Sequence, residues 1–126
     1  MIVADTHTFL WWSDERHLLS QIAYDALLSA DRIVISAMTG WEIGILVAKR
    51  RLAFETDPLT WIRRTLERMH IEVVPLPLEV AVRSTELQQL RDPGDQMIVA
   101  TAPHLGVPLV TKDDRIRRAN VVETIW

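Results

Sequence analysis

Three acidic residues stand just after short apolar runs or in a turn that opens a helical segment, a fourth lies about two turns into a helical segment, and carboxylates set that way can hold a metal ion or move protons. Asp5 follows Ile2-Val3-Ala4, and Asp113 follows Leu109-Val110-Thr111-Lys112. Glu42 lies in the apolar segment that begins after Ile33-Val34-Ile35-Ser36, and Asp95 closes the turn Asp92-Pro93-Gly94-Asp95. Four carboxylates converging on one spot repel strongly unless a cation neutralises them. Oxygen-only donors without a His or Cys cluster favour Mg2+ or Mn2+ over zinc.

Each acid also has an ordinary structural reading. Asp5 can cap a helix starting near Thr6 or Thr8, and Asp95 and one of Asp113 and Asp114 can do the same for later helices. Glu42 can be a solvated helix residue, and Asp92 reads first as a turn residue ahead of Pro93 and Gly94. Two features weigh against these readings as a set. Trp41, Ile43 and Ile45 surround Glu42 with apolar side chains, where a charge is costly unless it meets a cation. Acids also follow both the first and the fourth strand-like runs. His7, His17, His70 and His104 show no paired zinc-ligand spacing; His7 reads as a helix-terminal histidine close enough to Asp5 to touch the site. The sequence has neither a glycine-rich phosphate loop nor a Gly-x-Ser-x-Gly elbow, which leaves nucleotide-driven and acyl-transfer chemistry without support.

The elements that must position the acids alternate in type. Ile2–Ala4, Ile33–Ile35, Ile71–Leu76, Leu109–Val110 and Val121–Trp126 read as short buried strands. Ser20 can cap a helix with Ile22, Ala26, Leu27 and Ala30 towards the core, and Asp57-Pro58 starts another with Leu59, Ile62, Leu66 and Met69 on one face. Leu78, Val82 and Leu90 mark a further helix, and one more begins near Asp95 and ends at Gly106. Alternating strands and helices predict a single α/β domain over residues 1–126, with a mostly parallel sheet and ligands outside the carboxyl ends of its strands.

Composition agrees with that picture. The 126 residues are 48% hydrophobic and 25% charged, with no cysteine and a net charge of -3. Disorder and disulfide scaffolds are excluded, and binding nucleic acid by bulk electrostatics alone is disfavoured. The longest apolar stretch, from Ile33 to Ala48, is short for a bilayer and contains Glu42. With no basic segment ahead of the first apolar residues, the expected compartment is the cytoplasm, with no membrane partner.

The sequence resembles the PIN domain family, specifically the VapC-type ribonuclease toxins of toxin–antitoxin pairs. Four segments carry the resemblance in the family's order: Ile2-Val3-Ala4-Asp5-Thr6-His7; Trp41-Glu42-Ile43-Gly44-Ile45; Arg91 to Ala102; and Pro108 to Asp113, with a family-like ending at Ile125-Trp126. The resemblance implies a PIN-like three-layer fold, a central sheet flanked by helices. It implies an acidic quartet of Asp5, Glu42, Asp95 and Asp113 serving as metal ligands and catalytic groups, with Asp92 and Asp114 as secondary acids. Gln96 stands where the family often has arginine, so a cation that would steady the substrate is missing there.

On this reading the chain is a Mg2+-dependent endoribonuclease, with Mn2+ as a possible substitute. The ion lowers the pKa of a bound water and neutralises the scissile phosphate; 5′-phosphate and 3′-hydroxyl ends are what the resemblance implies. Asp5 and Asp95 are expected as direct ligands, with Glu42 and Asp113 binding a second ion or orienting the water. Arg91, Lys112, Arg115, Arg117 and Arg118 are candidates for following an RNA backbone. The implied partners are RNA, a cognate antitoxin and a second copy of the chain. Some of Trp11, Trp12 and Trp41 are expected to line an apolar groove for the antitoxin. The alternatives are a catalytically inactive PIN-like binding module and a haloacid-dehalogenase-like phosphatase. The phosphatase needs an aspartate where His7 stands.

Overall fold

The computed structural model describes residues 1–126 as a five-stranded sheet between two layers of helices. Strands β1 (Ile2–Ala4), β2 (Ile33–Ser36), β3 (Ile71–Val74), β4 (Leu109–Val110) and β5 (Thr124–Ile125) lie in the order β3-β2-β1-β4-β5, every pair parallel. The connections run outward from β1 through β2 to β3, then return to the other side for β4 and β5. The order therefore reverses between β1 and β4, the place where open parallel sheets form ligand crevices. Asp5 and Asp113 follow the two strands on either side of that reversal.

Side chains alternate across the short strands and build two cores. Ile2, Ala4, Ile33, Ile35 and Val110 face one layer, packing with Phe9 and Trp12 of α1 (Thr6–Asp14) and Ala23 and Leu27 of α2 (Gln21–Ser29). Ile43 of α3 (Ala37–Ala48) and Ile62 of α4 (Pro58–Met69) complete that cluster. Val3, Val34 and Leu109 face the other layer, against Ile98, Val99 and Ala102 of α6 (Pro93–Leu105) and Ile116 of α7 (Asp114–Ala119). Helix α5 (Leu78–Ser84) packs on α6.

Local chemistry explains most boundaries. Asp5, Ser20, Ser36 and Asp57 each cap the helix that follows by accepting a backbone N–H. Gly106 ends α6 at φ 68°, a left-handed position that glycine adopts without strain.

Several expectations are corrected. Helix α6 begins at Pro93, and its cap is Asp92, which accepts from the Asp95 N–H at 3.1 Å; Asp95 lies in the first turn. Proline's fixed φ suits the first helical position, which makes the residue before it the cap. Ile22 is exposed while Ala23 and Leu27 are buried, so the inward stripe of α2 runs one residue later than the Ile22 phase. Leu59 is exposed as well. On α5, Leu78 and Val82 point to solvent and Val80 and Ser84 point inward; Leu90 is buried but lies beyond the helix. Strand β3 stops at Val74, before Pro75.

Candidate metal centre

The segments that follow β1 and β4, one face of α3 and the start of α6 enclose a cleft of about 720 Å³. All four sequence-predicted acids, Asp5, Glu42, Asp95 and Asp113, line it, together with Asp92. They form a graded series rather than one equivalent quartet.

Glu42, Asp92 and Asp95 form the centre, each offering a carboxylate oxygen within 4.8 Å of the others. Glu42 comes from the middle of α3, and the two aspartates come from the cap and first turn of α6. Glu42 is held from behind by the buried Thr6, whose hydroxyl donates to Oε2 at 2.5 Å. Burial raises the Glu42 pKa above the ordinary value, with the Thr6 hydrogen bond opposing and the charges of Asp92 and Asp5 reinforcing. Asp95 is pushed up to about 7, first by burial and then by the charges of Glu42, Asp92 and Asp113. An acid that keeps its proton near neutrality beside two more acids marks a local excess of negative charge.

Asp5 stands beside this group on the β1 side. Its Oδ1 accepts the Thr8 N–H at 2.9 Å, so it caps α1 and lines the cleft at once. Burial raises its pKa, opposed by hydrogen bonds from Thr111 and Thr8. Asp113 differs. It accepts from the Arg115 backbone at 2.9 Å and from the guanidinium at 2.8 and 3.2 Å, and the guanidinium hydrogen bond leads the causes that lower its pKa. Arg115 also reaches Asp95 at 3.5 Å, so Asp113 joins the centre through a bridging cation.

Asp92 takes a larger part than its sequence reading as a turn residue and secondary acid. Its signal was the spacing Asp-x-x-Asp across Pro93-Gly94, which places both acids at one helix start. Asp114 instead pairs with Arg117 at 3.5 Å on the exposed surface and does not line the cleft. Gln96 turns away, donating its amide to the carbonyls of Leu87 and Leu90 and tying the α5–α6 connection to α6. The guanidinium that contacts the acids is instead that of Arg115. Of the other basic candidates, Lys112 lines the cleft and Arg91, Arg117 and Arg118 do not; Lys49 and Arg51 line it instead. Trp11 and the exposed Trp41 are wall residues, whereas Trp12 is buried in the core.

The donor set fits a hard divalent cation, since three carboxylates can surround it and none has another strong cation partner except Asp95 through Arg115. No helix is long and apolar enough to cross a membrane.

The PIN domain model matches residues 2–122. Ribonuclease VapC22 of Mycobacterium tuberculosis (strain ATCC 25618 / H37Rv) is 33% identical over 129 residues, covering 99% of this chain and 98% of that protein. Among solved structures, VapBC-1 from nontypeable Haemophilus influenzae superposes with a TM-score of 0.71 at 17% identity, covering 98% of this chain and 96% of that one. DNA-bound VapBC from Salmonella typhimurium gives 0.71 at 19% identity, with 98% and 95% covered.

Proposed function

This chain belongs to the PIN domain family, in its VapC ribonuclease branch, and on that premise we propose that the acidic cleft is the active site of a divalent-cation-dependent endoribonuclease. The observation that carries the proposal is the meeting of Glu42, Asp92 and Asp95 within 4.8 Å at the sheet's reversal point, with Asp5 adjacent. A module that only binds protein or RNA gains nothing from such mutual repulsion, which disfavours the inactive-scaffold alternative.

Glu42, Asp92 and Asp95 would hold the cation, Mg2+ or Mn2+, with Asp5 completing the donor set from β1. Once bound, the ion supplies positive charge against the scissile phosphate and acidifies water. The chain's own residues do the positioning. Thr6 fixes the Glu42 carboxylate, whose free oxygen would hold the cation and so set where the attacking water lies. Asp113 sets the direction of Arg115, which would meet the phosphate from the β4 side. Lys49 and Arg51 stand at the far wall, where a neighbouring phosphate would pass.

Cleavage of single-stranded RNA by purified protein tests the reading. Activity with Mg2+ or Mn2+, its loss in EDTA, and a drop of orders of magnitude in Asp5→Asn with native circular dichroism are expected. Cleavage that persists in EDTA, or an unchanged Asp5→Asn, refutes it.

The likeness to VapBC structures supports a cognate antitoxin as a further part of the proposal, to which a homodimer is added. The antitoxin would cover the wall of Trp41, Ile45 and Leu46. The exposed apolar side chains Val73, Leu76, Leu78 and Val82 around β3 and α5 supply a surface for self-association. Toxicity on expression without antitoxin, in the cytoplasm where the RNA is, and a dimer by light scattering at micromolar concentration are the expected results.

A further inference from the structure

One side of the cleft is aromatic and takes no part in holding a cation. His7 and Trp11 are four residues apart on α1 and so share a face; their rings lie 5.6 Å apart, tilted by 52°. The Trp126 ring packs at 5.9 Å from that of Trp11, tilted by 56°, while His7 is exposed. The Lys112 ammonium stands 5.6 Å from the Trp11 ring centre, near the outer limit of a cation–π contact, where it is held loosely. This shelf adjoins the acids at both ends, since His7 follows Asp5 by two residues and Lys112 directly precedes Asp113.

We propose that the His7–Trp11 shelf stacks an unpaired nucleobase of the RNA beside the cleaved bond, while Lys112 moves onto an adjoining phosphate. The inference rests on the ribonuclease reading above and names what that site grips. Aromatic faces alternating with cations match the alternating bases and phosphates of a single strand. A duplex keeps its bases stacked internally and has no face to offer the shelf, so the proposal selects single-stranded segments, loops and bulges. Side-chain chemistry decides between occupants: two aromatic rings beside the Lys112 ammonium suit a base and its phosphate, whereas the apolar wall of Trp41, Ile45 and Leu46 suits a protein segment.

Binding of single-stranded adenosine 12-mers to the full-length protein, with Ca2+ replacing Mg2+ to slow turnover, tests this. Trp11→Ala should weaken binding fivefold or more, His7→Ala severalfold, and Trp11→Phe, which keeps a ring and its packing on Trp126, should restore most of the loss. Replacing the central bases by abasic sites should weaken the wild type and cost Trp11→Ala nothing further. Lys112→Ala should lower the salt slope by about 0.7. Trp11→Ala and His7→Ala that bind within twofold, with the full abasic penalty, overturn the shelf while wild-type cleavage in Mg2+ leaves the nuclease reading standing. A Trp11→Ala protein that binds RNA normally but escapes a co-expressed antitoxin assigns the shelf to the protein partner and overturns the proposal equally. Wild type that neither binds nor cleaves RNA in Mg2+ or Mn2+ overturns both readings.

Discussion

A Cβ on Gly94 would lie 2.6 Å from Glu42 Oε1 and 3.1 Å from Asp92 Oδ1, so the first turn of α6 admits the Glu42 carboxylate only because residue 94 has no side chain. The obstruction is the far end of a flexible side chain, and an alanine in a helix gains roughly 0.5–1 kcal/mol over glycine. Gly94→Ala should therefore melt within a few degrees of wild type while the displaced Glu42 costs about tenfold or more in metal affinity. Thermal melts beside calorimetric Mg2+ titration check this, and intact metal affinity would refute the crowding argument.

Asp95→Asn removes one charge from the repelling group and leaves the α6 cap, Asp92, in place. Without metal, the variant should be at least as stable as wild type at neutral pH. The extra stability that millimolar Mg2+ gives the wild type, by binding the native cluster and not the open chain, should largely vanish. Melts in EDTA and in Mg2+ decide it; a variant several degrees less stable in EDTA with the full Mg2+ shift contradicts it.

Proton and metal compete for the same carboxylate. The folded-state pKa of Asp95 is raised from 3.8 to about 7, so its contribution to stability is present in full below 3.8 and is lost as pH rises through about 7. Metal affinity follows the opposite course, strengthening across that window as the proton leaves. Mg2+ binding measured at pH 5.5 and pH 7.5 should differ by about tenfold or more; equal affinities would place Asp95 outside the donor set.

Thr6→Val keeps shape but removes the hydroxyl that donates to Glu42. A hydrogen bond to a charged group contributes roughly 1.5–3 kcal/mol, so the metal-free variant should lose about that much at pH 8. Thr6→Ser should recover most of it. Cleavage rate should fall in Thr6→Val even where Mg2+ saturates, because the carboxylate that orients water is no longer fixed.

The strands, the α/β class and the caps at Asp5, Ser20 and Asp57 were legible because each depends on neighbours in sequence. The misplaced start of α6 was legible too: the proline rule that sets α4 at Asp57-Pro58 also sets α6 at Asp92-Pro93. The phase error at Ile22 arose because α2 carries apolar residues on more than one face, and only packing decides which face turns in; Leu59 lies on the apolar side of α4 but in its first turn, at the edge of the buried stripe. The clasp of Arg115 on Asp113 and Asp95 and the tight seat of Glu42 against Gly94 have no sequence signal. They depend on the angle at which α7 leaves β4 and on the separation of α3 and α6.

The reversal of strand order between β1 and β4 also sets a schedule. Asp5 is made first, but Asp92, Asp95 and the strand carrying Asp113 come from the last third of the chain, and β4 is completed by pairing with β5. At about 5–20 residues per second on a ribosome, Asp113 follows Asp5 by roughly 5–20 s. Throughout that interval the growing polypeptide holds Asp5 at one strand end without the acids of α6 and β4 that share its cleft. The cleft therefore closes only when β4 docks beside β1, so a cation meets its full set of carboxylates in one late step and not acid by acid.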